Sequence, residues 1–208
     1  MAAHPTYLVP VIAGVLAYLI GGLPFGYWIV RLSSGKDIRT MGSGNIGATN
    51  VHRTLGRKAG IVVLLLDICK GFFAVWIADV LTHGDPLALA LAALAVMLGH
   101  CYPVFLRFRG GKAVACFIGA FIYLEPLALA LTAAIFFLVV GLSKYISMGS
   151  MVGAISFPLI VWRISHPPLP ILIASIVAAL LIVYRHKANI SRITHGQEPP
   201  FSFKGGKA

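Results

Sequence analysis

AGIVVLLLDICKGFFAVWIADVL, residues 59–81, holds 23 residues with only three charged side chains, Asp67, Lys70 and Asp79. A spanning helix needs about 20 consecutive, mostly apolar residues, so this stretch reads as a transmembrane helix. Working outward, Tyr7–Val30 and Leu87–Leu106 are also long enough, with Gly99 and Pro103 bending the end of the second. Ala113–Leu124 is short, about 18 Å at 1.5 Å per residue; it begins in Gly110-Gly111-Lys112 and ends at Glu125-Pro126. Pro126–Leu142, Met151–Ile164 and Leu169–Tyr184 complete seven. The last three are near or below the lower limit, which keeps five or six spans as the alternative. The expectation is an all-α integral membrane protein with seven transmembrane helices, some short or broken. Residues 1–194 form a single polytopic domain, and residues 195–208 a frayed polar tail.

Composition agrees. Of 208 residues 59% are hydrophobic and 11% charged, where soluble domains carry about 25% charged residues. So little charge cannot cover a water-facing surface, so lipid is the solvent. A net charge of +11 would elsewhere point to nucleic acid. Here fifteen of the seventeen Lys and Arg residues lie in alternate connections: 31–58, 107–112, 143–150 and the C-terminal tail. Positive charge marks the cytoplasmic side, so the N-terminus is expected outside and the C-terminus inside. Membrane lipids are then partners and nucleic acid is not. Cys69, Cys101 and Cys116 are an odd count with none in an external loop, which disfavours a disulfide framework. Cys69 and Cys116 read as small core residues. Met1-Ala2-Ala3-His4 lacks the positive region of a signal peptide, and the run behind it is too long for one.

The same side holds the chemistry. Gly42-Ser43-Gly44-Asn45-Ile46-Gly47 fits the dinucleotide fingerprint only by spelling, because no strand precedes it. Ala48 also stands where a Walker A loop has its Lys. What remains is a loop with close backbone approach and polar partners at Ser43, Asn45, Thr49 and Asn50, an anion cradle or simply a tight turn. Arg53 and Arg57, four apart, share one face of a helical start, as phosphate ligands or as snorkelling cations. In Gly99–Lys112, Gly110 and Gly111 expose the amides that open the short fourth helix, and Lys112 adds a full charge beside its positive dipole end. Asp67 and Lys70, three apart, can pair on one helix face, as a structural ion pair or a functional site. Ser147, Ser150, His186, Asn189, Arg192 and Glu198 add polar groups to the same side.

Absences narrow the reaction. Six acidic residues form no cluster for Mg²⁺ or Zn²⁺, so no metal and no cofactor is expected. None of the seven histidines has an Asp five residues later, which removes the H-x4-D acyltransferase pair, and there is no G-x-S-x-G elbow.

Together Gly42–Asn50, Asp67-Ile68-Cys69-Lys70-Gly71, Gly99–Lys112 and Arg185–Ile193 with Gly196 and Glu198 resemble the bacterial acyl-phosphate:glycerol-3-phosphate acyltransferases, the PlsY family. The likeness runs from about Pro24 to Glu198. Ile46 departs from a common proline, and Ala113 from a common third glycine, which bears on loop geometry rather than on any polar group. The resemblance implies an enzyme of the bacterial cytoplasmic membrane that works at its inner face. It moves a fatty acyl group from acyl phosphate to the 1-hydroxyl of glycerol 3-phosphate. It further implies that Ser43, Gly44, Asn45 and Lys112 bind acyl phosphate. Arg53, Lys112, Ser150, His186, Asn189 and Arg192 collect glycerol phosphate. The hydroxyl proton goes either to the leaving phosphate, which we favour, or to His100. The competing classes are a transporter of an anionic solute and a lipid-binding scaffold. A transporter concentrates binding residues near the midplane, whereas these gather at one face.

Overall fold

Pro24 has no N–H with which to continue a helix, and the chain breaks there between α1 (Leu8–Gly22) and α2 (Phe25–Ser34). The computed structural model describes residues 8–201, and no strand occurs among them. After α2 come α3 (Ala48–Leu55), α4 (Arg57–Thr82), α5 (Pro86–Cys101), α6 (Val114–Leu124), α7 (Pro126–Ser143), α8 (Ile146–Ile164), α9 (Leu169–Arg185) and α10 (Lys187–Thr194). Local chemistry explains the limits: the Asp85 carboxylate accepts from the Ala88 N–H at 2.7 Å with Pro86 in the first turn of α5.

Among the described residues five stretches are long and apolar enough to cross a membrane: α1 with α2, α4, α5 with the turn after it, α7 and α8. Taking α9 with α10 across their 54° bend gives a sixth. The expected fourth of seven spans, α6, has 11 residues, about 16 Å of helix. Its end nonetheless lies near the end of α4, where the Tyr123 hydroxyl donates to the Asp79 carboxylate. The loop before α6 therefore covers the rest of that depth.

Glycines let the helices meet backbone to backbone, as they do where lipid gives no hydrophobic drive for association. A Cβ at Gly21 or Gly99 would strike the Val96 or Tyr18 carbonyl across the α1–α5 contact. One at Gly71 or Gly119 would strike the Cys116 or Ile68 carbonyl between α4 and α6. Phe117, Phe121 and Phe157 fill the centre with ring centroids 4.7 to 4.9 Å apart. Outside, Phe137, Leu138, Leu142 and Leu180 are 62 to 78% exposed, an apolar exterior suited to lipid.

Four local expectations need correction. Gly56, at φ 89°, separates α3 from α4, so Arg53 and Arg57 do not share one helix. Helix α8 starts at Ile146 rather than Met151, which puts Ser147 and Ser150 inside it. Cys69 faces outward, while Cys116 is buried as expected. The segment from His195 to Phe201 is no frayed tail: Glu198 is 6% exposed and the Phe201 N–H donates to the Lys144 carbonyl at 2.8 Å. Tyr7 and residues 202–208 lie outside the described residues.

The basic connections meet at one end of the bundle. Arg39 reaches the Leu106 carbonyl at 3.5 Å and Arg53 the Pro199 carbonyl at 3.4 Å.

Candidate active site

The glycine loop is built around Asn50. Its buried side chain accepts from the Ser43 N–H at 2.9 Å and donates to the carbonyls of Met41 and Asn45 at 2.9 and 2.8 Å. The Gly44 N–H goes to the Met41 carbonyl and the Gly47 N–H to the Asn45 side chain. The expected bare amides of Ser43, Gly44 and Gly47 are thus occupied inside the loop. Asn50 shapes the loop rather than facing a ligand. The amides of Ala48 and Thr49, which open α3, have no intrahelical partner. The Ser43 side chain is exposed beside them in sequence, and Thr49 is half-buried.

The second loop is likewise closed on itself. Gly110 and Gly111 donate their N–H groups to the Cys101 and His100 carbonyls at 3.2 and 2.9 Å, so neither is the free amide that the sequence suggested. Their own carbonyls accept from Arg185 at 3.1 and 3.0 Å, and the Arg185 guanidinium lies 4.9 Å from the Tyr102 ring centre. His100 does not open onto this site. It is buried against Lys70, Nδ1 to Nζ 3.0 Å, and Asp67 is ion-paired to Lys70 at 2.8 Å.

Lys112 enters a network that joins four parts of the chain. Its Nζ donates to Asn189 Oδ1 on α10, while Asn189 Nδ2 donates to Glu198 Oε1 at 2.6 Å. Ser147 on α8 donates to the same oxygen at 2.7 Å, and Arg192 Nε reaches Glu198 Oε2 at 2.7 Å. The amide orientation of Asn189 follows from chemistry: an ammonium needs the oxygen and a carboxylate needs the NH₂. His186 is buried at the α9–α10 bend, its Nδ1 2.7 Å from the Ile182 carbonyl. A carbonyl only accepts, so the Nδ1 proton is fixed and Nε2 is left as an acceptor. Ser150 is buried in α8 with its hydroxyl on the Ile146 carbonyl at 2.9 Å. Arg57 is exposed on α4 and stands outside this network.

Positive charge accumulates here around a single carboxylate. Burial pushes the Lys112 ammonium down to about 8; Glu198 resists, and Arg192, Arg53 and Arg185 add repulsion. Burial also lowers Arg53, again against the pull of Glu198. Glu198 is itself held below the usual carboxylate range: burial raises it, but hydrogen bonds from Ser147, Asn189 and Arg192 outweigh that. Three cations around one carboxylate, at the end of an apolar bundle, suit an anionic ligand such as phosphate.

Sequence reasoning therefore named Lys112, Asn189, Arg192 and Arg53, which the fold brings together. It noted Ser147 only as a polar neighbour, and it placed Arg185 and Glu198 in the C-terminal motif without giving either a role. The spacing of Glu198, six residues beyond Arg192, gives no hint of a hub, because the chain must turn back after α10 to make it. Among the described residues one donor group is close enough to share an ion: Asp67, His100 and Cys116. The Lys70 ammonium already bridges Asp67 and His100.

Known proteins resemble this chain over most of its length. A protein-family model described as glycerol-3-phosphate acyltransferase matches residues 11–196. A glycerol-3-phosphate acyltransferase of Desulforamulus reducens is 45% identical over 183 residues, 88% of this chain and 90% of that one. One from Geobacter sulfurreducens is 44% identical over 186 residues, 89% and 94% of the two chains. The crystal structure of PlsY (YgiH) in its glycerol 3-phosphate form superposes with a TM-score of 0.88 at 38% identity, covering 93% of this chain and 96% of that one. Its lysophosphatidic acid form gives 0.84 at 36% identity with the same coverage. With residues 11–196 matched by the family model and relatives at 44 to 45% identity covering 88 to 89% of it, the chain belongs to the glycerol-3-phosphate acyltransferase family.

Proposed function

We propose that the polar end of this bundle joins a fatty acyl group from acyl phosphate to the 1-hydroxyl of glycerol 3-phosphate at the cytoplasmic face of the bacterial inner membrane. Acyl transfer to glycerol 3-phosphate is the activity of the family. The observation that carries the reading for this chain is the cation cluster of Lys112, Arg53 and Arg192 around Glu198. A related enzyme crystallised with glycerol 3-phosphate supports it. Seven spans, with α6 as a short fourth, and an outside N-terminus complete the reading. The basic connections support that orientation.

In this reading Ser43, Gly44, Asn45, Gly47 and Thr49 line one side of the acyl phosphate, with Gly110 and Gly111 bracing Lys112 on the other. Lys112, Arg53 and Arg192 draw in glycerol phosphate beside Asn189 and Ser150. His186 presents an acceptor nitrogen, so it suits a glycerol hydroxyl better than a phosphate oxygen. The hydroxyl oxygen attacks the acyl carbon, the bond from that carbon to the phosphate oxygen breaks, and inorganic phosphate leaves. The hydroxyl proton passes to the departing phosphate. His100 is a poor base here: a Lys donates to its Nδ1, and an ammonium beside the ring opposes a further positive charge. No covalent acyl-enzyme is needed, since acyl phosphate is already activated.

The test is purified protein in detergent, supplied with acyl phosphate and glycerol 3-phosphate, with phosphate and 1-acyl-glycerol 3-phosphate measured. Equal release of both is expected. Uptake of a phosphorylated solute into sealed vesicles without acyl transfer would favour a transporter instead. Comparable rates with acyl-coenzyme A free of acyl phosphate would overturn the choice of donor.

A further inference from the structure

Lys70 lies midway along α4 with its side chain 3% exposed, as is that of Asp67. An ammonium is only a donor. Its Nζ donates to the Leu23 carbonyl at 2.9 Å, which also accepts from the Phe25 N–H at 3.2 Å, and to His100 Nδ1 at 3.0 Å. It also pairs with Asp67 Oδ1 at 2.8 Å and stands 5.6 Å from the Phe25 ring centre. His100 Nδ1 must therefore accept, and the ring carries its proton on Nε2.

The other end of the ring holds the loop. Nε2 stands 2.0 Å from where a Cβ of residue 111 would be, so only glycine fits beside the ring in this pose. The His100 carbonyl takes the Gly111 N–H at 2.9 Å, and Arg185 takes the Gly111 carbonyl at 3.0 Å. The next residue is Lys112. A buried ion pair is a weak source of stability, since apolar replacements of similar volume are often neutral or stabilising. Fold stability is therefore a poor account of why this pair is here.

We propose that Lys70, charge-balanced by Asp67, is a positioning residue for acyl transfer: it fixes the tautomer and pose of His100 and, through Gly111, the place of Lys112. This rests on the reading of Lys112 as a phosphate-binding residue.

The test pairs imidazole nitrogen NMR with kinetics on the purified full chain. The Asp67→Asn/Lys70→Met double variant leaves no unpaired buried charge, and the His100→Gln spectrum identifies the His100 signals. Wild type is expected to show the Nε2–H tautomer. The single Asp67→Asn variant, which keeps the Lys70 contact, should show it too. The double variant should unfold at the wild-type temperature yet lose that tautomer, with KM for glycerol 3-phosphate raised and kcat/KM down about a hundredfold, the scale of a 1 Å misplacement. Gly111→Ala, which leaves the ion pair intact, should raise the same KM. A folded double variant with wild-type KM, an unchanged tautomer, or a Gly111→Ala enzyme with wild-type KM would each overturn the proposal. A wild-type protein without turnover would instead sink the acyl-transfer reading, while the tautomer measurement would still decide whether Lys70 orients His100.

Discussion

In the proposed reading Lys112 is the residue on which most of the chemistry converges, and its depressed proton affinity gives a direct test. With the ammonium titrating at about 8 in the free protein, it is charged below that pH and loses charge above it. The value of kcat/KM for glycerol 3-phosphate should therefore fall as pH rises through about 8. Lys112→Arg should remove that alkaline limb even if its rate is lower, because guanidinium stays charged. A limb unchanged by Lys112→Arg would assign it to another group. Lys112→Ala should remove most activity, and a charged hydrogen bond to phosphate is worth about 1.5–3 kcal/mol. Arg53→Lys should also be impaired, since an ammonium cannot make a two-pronged contact; wild-type KM values in that variant would refute the role. These residue types were legible in the sequence because Arg and Lys beside glycine loops carry a phosphate logic of their own. Which amides stay free was not legible. Met41 and Asn45 take the Gly44 and Gly47 amides within the loop, while Asn50 and the His100 and Cys101 carbonyls take those of Ser43, Gly111 and Gly110 through contacts that no local spacing encodes.

Among the elements, the pairs α1–α5 and α4–α6 depend on glycines at their crossings. Gly99→Ala and Gly119→Ala each put a methyl group against a backbone carbonyl, which cannot move aside as a side chain could. Overpacking of this kind costs about 1–3 kcal/mol. Thermal unfolding in detergent should register a loss of that order for both variants, whereas Gly141→Ala, with open space around it, should unfold as wild type does. Equal midpoints for all three would show that the crossings tolerate separation. Most spans could be read from length and hydropathy, because a run such as 59–81 has no alternative in water. The start of α8 could not: Ile146–Ser150 is polar enough to look like a connection, and only Glu198 reaching Ser147 makes a helix there useful. The Gly56 break between α3 and α4 was equally hidden, since a single glycine between two Arg residues also fits a continuous helix.

Seen as a whole, the bundle is polar at one end and apolar around its sides, and the proposed topology sets that end in the cytoplasm. A cysteine placed at Ser43 should resist an impermeant thiol reagent added outside intact cells, judged against the native cysteines, and react once the membrane is opened. Labelling of intact cells would reverse the map. The grouping of the basic connections was legible from charge alone, whereas the packing of residues 195–201 against that end was not, because a stretch with Pro199-Pro200 reads as an unstructured end. That packing has a consequence for how the protein is made. Lys112 and Ser147 are synthesised well before Asn189, Arg192 and Glu198, which unite them. During translation the bundle can therefore insert span by span with the proposed phosphate centre unassembled. In the proposed reading catalytic competence therefore waits for the stretch from His186 to Phe201 to fold back, so a chain that stops short of it leaves an inert protein in the membrane rather than a half-working one.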